Sequence, residues 1–332
     1  MRLAKPINIM IYTLKPNFYN QKNSYLLYSN FSKQKEFIKE ILGDKYDSIL
    51  NKKKYKDHPA RKSLEICDLM IDQGGVIKWP ENEDKINQIL EVVLMNFIIN
   101  KCSGRTKNDF ILGNFGNYRN PDIIKRNKSR VLSNEDYLSL MTEFACAARY
   151  LNKHNYSIEA IPERETSSPD FKLIISSPPS VILFECKRLM NHCDKIIIQS
   201  KIKQSNRQIK EFSEIKKLKS CGVLVLDISG ICPCLQVELD QHLNKIPQKI
   251  ENVKNDIESL LKNDYRSVSG VLILWNEYEH FQKNNLSLFV FHKRGILVEH
   301  KKPKYSITPD TIETKDWGYS FYLPVYWKSR KN

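Results

Sequence analysis

The sequence lacks the patterns that mark several large classes of protein. It has eight cysteines but no repeated C-x-x-C pair, which argues against a zinc ribbon. Scattered free thiols favour a reducing cytoplasm. No apolar run reaches the roughly 18 residues that a membrane span needs, and the opening run over 7–12 is too short for a secretory signal core. We therefore expect a cytoplasmic protein without a membrane partner.

Internal repeats and low-complexity linkers are also absent, so nothing indicates a solenoid or a tethered array. The 332 residues are 41% hydrophobic, which is enough for a substantial core and unlike a disordered composition. This length favours two domains, although one elaborated domain would also fit. We predict a mainly helical region over 1–130, able to clamp DNA, and a second domain over 131–332.

Positive charge is in clear excess. The formal net charge is +15, and the isoelectric point is about 9.3. Residues 1–130 carry a net charge of +10 and residues 131–332 a net charge of +5. This balance suggests a polyanionic partner, nucleic acid before membrane.

The segment 101–130 concentrates this charge and interleaves it with glycine and aromatic residues. Such a composition suits contact with a phosphate backbone, with bases or sugars against the rings. The alternative is an ordinary surface connection between two domains. The predicted nucleic-acid contacts are Lys101, Arg105, Lys107, Arg119, Lys125, Arg126, Lys128 and Arg130.

Hydrophobic periodicity predicts helices over 32–50, 60–73, 82–100, 133–152 and 195–219. A further helix over 236–262 would be interrupted or bent at Pro247. Strands are predicted over 156–161, 221–228, 268–275, 286–292 and 295–299, and a strand or packed arm over 319–326 would cover the sheet edge. The order of these elements indicates an α/β fold with a central mixed sheet flanked by helices.

The sequence predicts a β-hairpin around residues 169–187. Two apolar runs, 173–175 and 181–184, flank a proline-bearing turn that cannot continue a strand. If the hairpin is symmetric about the bond between residues 177 and 178, Asp170 lies opposite Glu185. Side chains alternate along a strand, so Glu185 and Lys187 share one face and Cys186 points away. Three charged groups at one end of an apolar hairpin favour a divalent cation among them.

The pattern Pro169-Asp170 followed by Glu185-Cys186-Lys187 resembles the motif of the PD-(D/E)XK nuclease superfamily. The resemblance covers about residues 133–230 and implies a restriction-endonuclease-like core. It also implies Mg²⁺, for which Mn²⁺ can substitute, held by Asp170, Glu185 and the backbone carbonyl of Cys186. Lys187 would orient or help to deprotonate the attacking water.

The resemblance extends to two neighbouring helices. The first core helix of such nucleases often adds an acid to the metal site, and Glu143 is the candidate here. A solvent-facing glutamate is the alternative for this residue. The crossover helix often carries a glutamine near the site, and Gln204 and Gln208 fit that placement.

These observations predict a metal-dependent endonuclease that hydrolyses DNA, in restriction or in defence against mobile elements. A homodimer would suit double-strand cleavage. One alternative is a nucleic-acid-binding module whose nuclease site is decayed or unused. The other is an unrelated α/β protein in which Glu185 and Lys187 form a structural pair. The substrate form and the recognition sequence stay open.

Overall fold

A computed structural model of the chain describes residues 24–26, 31–72, 130–150, 155–162, 168–190, 193–231, 235–236, 246–283, 286–307, 312 and 319–326. The predicted helix over 82–100 and the basic segment 101–130, except for Arg130, lie outside the described residues.

The described strands form one mixed sheet in the order β1-β9-β8-β7-β5-β4-β3-β2, with β6 also pairing with β7. Strands β4, β5 and β7 run parallel to one another, whereas β2, β3 and β4 form an antiparallel meander. The strands are β1 Ser24–Leu26, β2 Tyr156–Ala160, β3 Phe171–Ser176, β4 Pro179–Arg188, β5 Cys221–Asp227, β6 Leu235–Gln236, β7 Gly270–Lys283, β8 Leu286–Glu299 and β9 Tyr319–Tyr326.

Helices cover both faces of this sheet. The helices are α1 Phe31–Leu42, α2 Tyr46–Asn51, α3 Pro59–Asp72, α4 Asn134–Tyr150, α5 Lys195–Ile215 and α6 Gln248–Leu260. Buried residues of α1 to α4 share one hydrophobic cluster with one face of the sheet, and those of α5 and α6 share another with the opposite face. None of these helices is both long and apolar enough to cross a membrane. The predicted α/β class and mixed sheet are confirmed.

Local signals explain why the two helices next to the hairpin begin where they do. The backbone N–H of Asp136 donates to the Ser133 side chain at 3.2 Å, which caps α4. The Asp194 carboxylate accepts from the backbone N–H of Ile197 at 2.8 Å and caps α5 in the same way. These caps fix the ends of the helices that lie against opposite faces of β4.

The hairpin has the predicted register. Phe171 pairs with Phe184, and Ser176 pairs with Pro179, so the turn is symmetric about the bond between residues 177 and 178. The backbone N–H of Asp170 donates to the Phe184 carbonyl at 2.9 Å. Asp170 therefore continues the ladder opposite Glu185.

The predicted interruption at Pro247 is present, because residues 246 and 247 are not helical and Pro247 stands as the N-cap of α6. Two other predictions about the second half of the chain are wrong. Gln236, predicted as helical, is in β6. The two strands predicted over 286–292 and 295–299 are one continuous strand, β8.

Candidate functional site

Five charged side chains gather where β4 ends, and we call them the charged cluster: Arg130, Glu143, Asp170, Glu185 and Lys187. Asp170 precedes β3, and its register brings it to this end of β4. The backbone N–H of Cys186 donates to Asp170 Oδ2 at 2.7 Å. This bond fixes the aspartate against the strand that carries Glu185 and Lys187.

Glu185 and Lys187 lie on the same side of β4, as the alternation of side chains predicted. Lys187 Nζ is 2.6 Å from Glu185 Oε1. The other oxygen of this carboxylate, Oε2, is buried and has no hydrogen-bond partner among the described residues. An unpartnered buried carboxylate oxygen is costly, and it marks the position where a cation or a water would be stabilised.

The pKa values show how closely the three motif residues are coupled. Burial, followed by the neighbouring Asp170 carboxylate, raises the pKa of Glu185 to about 7, against the opposing effect of Lys187 and Arg130. Burial alone would lower the pKa of Lys187, but Glu185 and Asp170 raise it above its ordinary value. Lys187 is therefore a cation at neutral pH, whereas Glu185 is close to half protonated.

Cys186 faces away from these groups, as predicted. Its thiol is fully buried, and burial, followed by a hydrogen bond with Cys146, raises its pKa well above the ordinary value. A thiol of this kind is neutral and unreactive at physiological pH. The thiol is therefore no candidate ligand, and the predicted role of the Cys186 backbone carbonyl stays a prediction.

Glu143 completes the charged cluster from α4, and Arg130 completes it from the segment that precedes this helix. Glu143 is fully buried, so the alternative of a solvent-facing glutamate is wrong. Arg130 Nη1 is 2.5 Å from Glu143 Oε2 and 3.5 Å from Asp170 Oδ1. The sequence predicted Arg130 as a phosphate contact and Glu143 as a metal ligand, but the structure places them in an ion pair with each other.

The two candidate glutamines of α5 differ in position. Gln204 is exposed, and Gln208 is buried. Gln208 Nε2 donates to the Ser168 carbonyl at 3.3 Å, two residues before Asp170, and its Oε1 has no partner among the described residues. Gln208 therefore lies beside the charged cluster, whereas Gln204 is on the solvent side of the helix.

The residues present suit a magnesium ion only in part. Across the described ranges, no group of three or more His, Cys, Asp and Glu side chains is arranged to hold a metal ion. Mg²⁺, however, is commonly held by one or two carboxylates and several waters rather than by a closed protein cage. Asp170 and the unpartnered Oε2 of Glu185 fit that donor set, and Arg130 occupies the space between Asp170 and Glu143.

The raised pKa of Glu185 predicts how the metal-free protein responds to pH. Folding keeps this carboxyl protonated up to about pH 7, whereas the unfolded chain releases the proton near 4.5. The stabilisation from the Glu185 carboxyl is thus complete below about pH 4.5 and is lost as the pH rises through 7. The free energy of unfolding changes by an amount on the order of 1–3 kcal/mol. Urea unfolding in EDTA should show that wild type loses stability relative to Glu185→Gln between pH 5 and pH 7.5.

The matched control for this pH experiment is Glu159→Gln. Glu159 pairs with Lys172 across β2 and β3 at 2.8 Å but is 42% exposed. Its variant should keep a constant stability difference from wild type over the same pH range. A constant difference for Glu185→Gln as well would contradict the buried, proton-holding carboxyl.

A second buried polar cluster, which the sequence did not predict, lies at the end of β5. We call its members the Asp227 cluster: Thr142, Arg188, Asp227, Ser229 and Lys293. Asp227 Oδ2 accepts from Thr142 Oγ1 at 2.9 Å and from Lys293 Nζ at 2.8 Å. The only sequence signal for it is an aspartate directly after the apolar run 223–226.

Helix α4 joins the two clusters. Thr142 binds Asp227, and the next residue, Glu143, binds Arg130. The two neighbouring side chains therefore hold α4 over the ends of β4 and β5.

A scan of the chain against models of known protein families finds no match, and no curated protein matches its sequence.

Proposed function

We propose that this chain is a metal-dependent endonuclease that hydrolyses DNA phosphodiester bonds on a restriction-endonuclease-like core. One observation carries the proposal: the hairpin register brings Asp170, Glu185 and Lys187 to one end of β4, with Glu185 Oε2 buried and unpartnered among the described residues. The same three positions form the motif that resembles PD-(D/E)XK nucleases.

The proposed chemistry follows from the charge of each group. A phosphodiester is anionic and repels hydroxide, so hydrolysis needs positive charge near the phosphoryl oxygens and an oriented water. Mg²⁺ or Mn²⁺, when bound, would offset the negative charge on those oxygens. Asp170 and Glu185 would hold the ion through carboxylate oxygens, which are the ligands that hard cations prefer.

Lys187 has a role that neither acid can perform. Its ammonium carries a positive charge and donates hydrogen bonds but cannot accept them. Glu185 Oε1 holds it at 2.6 Å, with 22% of its side chain exposed. From there it can orient the attacking water and stabilise the charge that develops on the phosphate.

Two alternatives predict different experimental outcomes. A nucleic-acid-binding module with an unused site would bind DNA without cutting it, although a decayed site normally loses the lysine or an acid of the motif first. A structural Glu–Lys pair in an unrelated protein would need neither metal nor DNA. The burial of the Glu185 side chain, 1% exposed, speaks against an ordinary surface pair.

Metal-dependent cleavage tests the proposal. The purified full chain is incubated with supercoiled, linear and branched DNA in Mg²⁺, in Mn²⁺ and in EDTA. We expect nicking or cleavage of at least one substrate with either metal and none in EDTA. DNA binding without cleavage under all metal conditions would favour the unused-site alternative and overturn the endonuclease.

A further inference from the structure

Arg130 stands inside the charged cluster rather than beside it. Its Nη1 reaches a carboxylate oxygen of Glu143 and one of Asp170, and its side chain is only 16% exposed. The guanidinium thus lies between two acids of the proposed metal site. Three carboxylates and two cations share the cluster, so the arrangement is close to neutral without any bound ion.

We propose that Arg130 is the built-in counter-ion of the charged cluster: it holds Glu143 and Asp170 together in the metal-free chain, and a divalent cation must displace it from Asp170 to bind. This inference rests on the proposed metal-dependent function, because it assigns the state from which that function begins. It predicts that Arg130 weakens metal binding rather than supporting it.

The unequal contacts of Arg130 indicate which one would be exchanged. The bond to Glu143 is 2.5 Å, a short charge-assisted distance, whereas the contact with Asp170 is 3.5 Å and therefore weak. Asp170 is also held independently, through Oδ2 and the backbone N–H of Cys186. The Oδ1 contact can be lost while Asp170 keeps its place and Arg130 keeps Glu143.

Electrostatic repulsion opposes the simultaneous binding of a divalent cation and of Arg130 to Asp170. A divalent cation bound by Asp170 would repel a guanidinium that contacts the same carboxylate, and the repulsion is strong where water is largely excluded. The coupling is reciprocal: if metal binding weakens the Arg130–Asp170 contact, then that contact weakens metal binding by the same factor.

The backbone beside Arg130 is fixed, so the displacement falls to the side chain. His58 Nε2, on the residue that precedes α3, donates to the Val131 carbonyl at 2.9 Å. His58 and Val131 are both buried, and His58 Nδ1 accepts from the backbone N–H of Ala60. This anchor holds the backbone next to Arg130 against the start of α3.

Two substitutions at the same position separate charge from packing. Arg130→Gln removes the positive charge and keeps hydrogen-bond donors, whereas Arg130→Lys keeps the charge. Calorimetric titration with Mn²⁺ should show about tenfold tighter binding for Arg130→Gln and an affinity close to wild type for Arg130→Lys. Mn²⁺ should also raise the Tm of Arg130→Gln by more than it raises the wild-type Tm.

Arg61→Gln is the matched control. Arg61 pairs with Glu65 on α3 at 3.2 Å, so this variant also breaks one Arg–Glu pair, and it should bind Mn²⁺ as wild type does. If Arg130→Gln does not fold without metal, Mn²⁺ should restore its circular dichroism spectrum, and failure to do so overturns the inference.

The remaining outcomes distinguish this inference from the function on which it rests. Equal or weaker Mn²⁺ binding by Arg130→Gln, with clear binding by wild type, overturns the counter-ion role and leaves the nuclease proposal standing. The absence of Mn²⁺ binding in wild type and in every variant overturns both.

Discussion

Replacing Lys187 with methionine should reduce metal-dependent DNA cleavage by about 10²- to 10³-fold, the usual cost of removing one donor that stabilises transition-state charge. Methionine has a similar length and lacks the charge, so it removes the ammonium that Glu185 holds at 2.6 Å. Mn²⁺ affinity should be retained, because the variant leaves both carboxylates in place and removes a competing positive charge. The variant would thus lose turnover but keep its affinity for metal.

Lys172→Met is the matched control for this experiment. Lys172 lies in β3 of the same hairpin and pairs with Glu159 across the strands at 2.8 Å. Its loss removes a similar Glu–Lys pair outside the charged cluster and should leave cleavage unchanged. Cleavage by Lys187→Met at more than a third of the wild-type rate would remove Lys187 from the mechanism.

The second large effect concerns stability. Asp227→Asn should lower the free energy of unfolding by about 3–5 kcal/mol, because it leaves buried cations without their counter-charge. Lys293 is 5% exposed and Arg188 4% exposed, and their Nζ and Nη1 atoms lie 2.8 and 3.9 Å from Asp227 Oδ2. Urea unfolding at pH 7 measures the loss, which should also lower the Tm by roughly 10 °C.

Acid should lower the stability of the wild-type protein through the same Asp227 carboxylate. Burial alone would raise the pKa of Asp227, but Lys293 and Arg188 hold it well below its usual range. The stabilisation is therefore present above about pH 3.8 and is lost as the pH falls further toward the folded-state value. Asp227→Asn should be less sensitive to acid than wild type below pH 4.

The exposed Asp57 supplies the control for Asp227. It pairs with Lys62 at 3.4 Å on the surface, and Asp57→Asn should change stability by no more than about 0.5 kcal/mol. A similarly small effect of Asp227→Asn would mean that the Asp227 cluster contributes little to the fold.

The hairpin could be predicted from the sequence because its information is local. A turn that cannot continue a strand fixes the register of its two arms, and the register decides which side chains face each other. The positions of Asp170, Glu185, Lys187 and Cys186 all follow from that one symmetry. The structure confirms the register and the side of the strand on which each residue lies.

Strand β8 shows why other features could not be predicted. The prediction leaves residues 293 and 294 in a gap between two strands. Lys293 instead pairs with the buried Asp227, and Arg294 pairs with Glu277 at 3.2 Å, so the strand continues through them. These partners lie 66 and 17 residues away in sequence, and no local pattern connects them.

The contacts of Arg130 could not be predicted for a similar reason. In the sequence it ends a basic segment, and composition places it with the phosphate contacts. In the fold it lies three residues before the Ser133 cap of α4, next to the carbonyl that His58 anchors. Its partners, Glu143 and Asp170, come from a helix and a hairpin that only the tertiary structure brings together.

Binding of Mn²⁺ by wild type and by Asp170→Asn tests the central claim most directly. Asparagine keeps an oxygen for the Cys186 backbone N–H and removes only the negative charge, so the hairpin should stay intact. Titration followed by electron paramagnetic resonance should show one Mn²⁺ per wild-type chain and at least about tenfold weaker binding in the variant. Equal affinity in the two proteins, or no binding in wild type, would contradict a divalent-cation site at the end of β4.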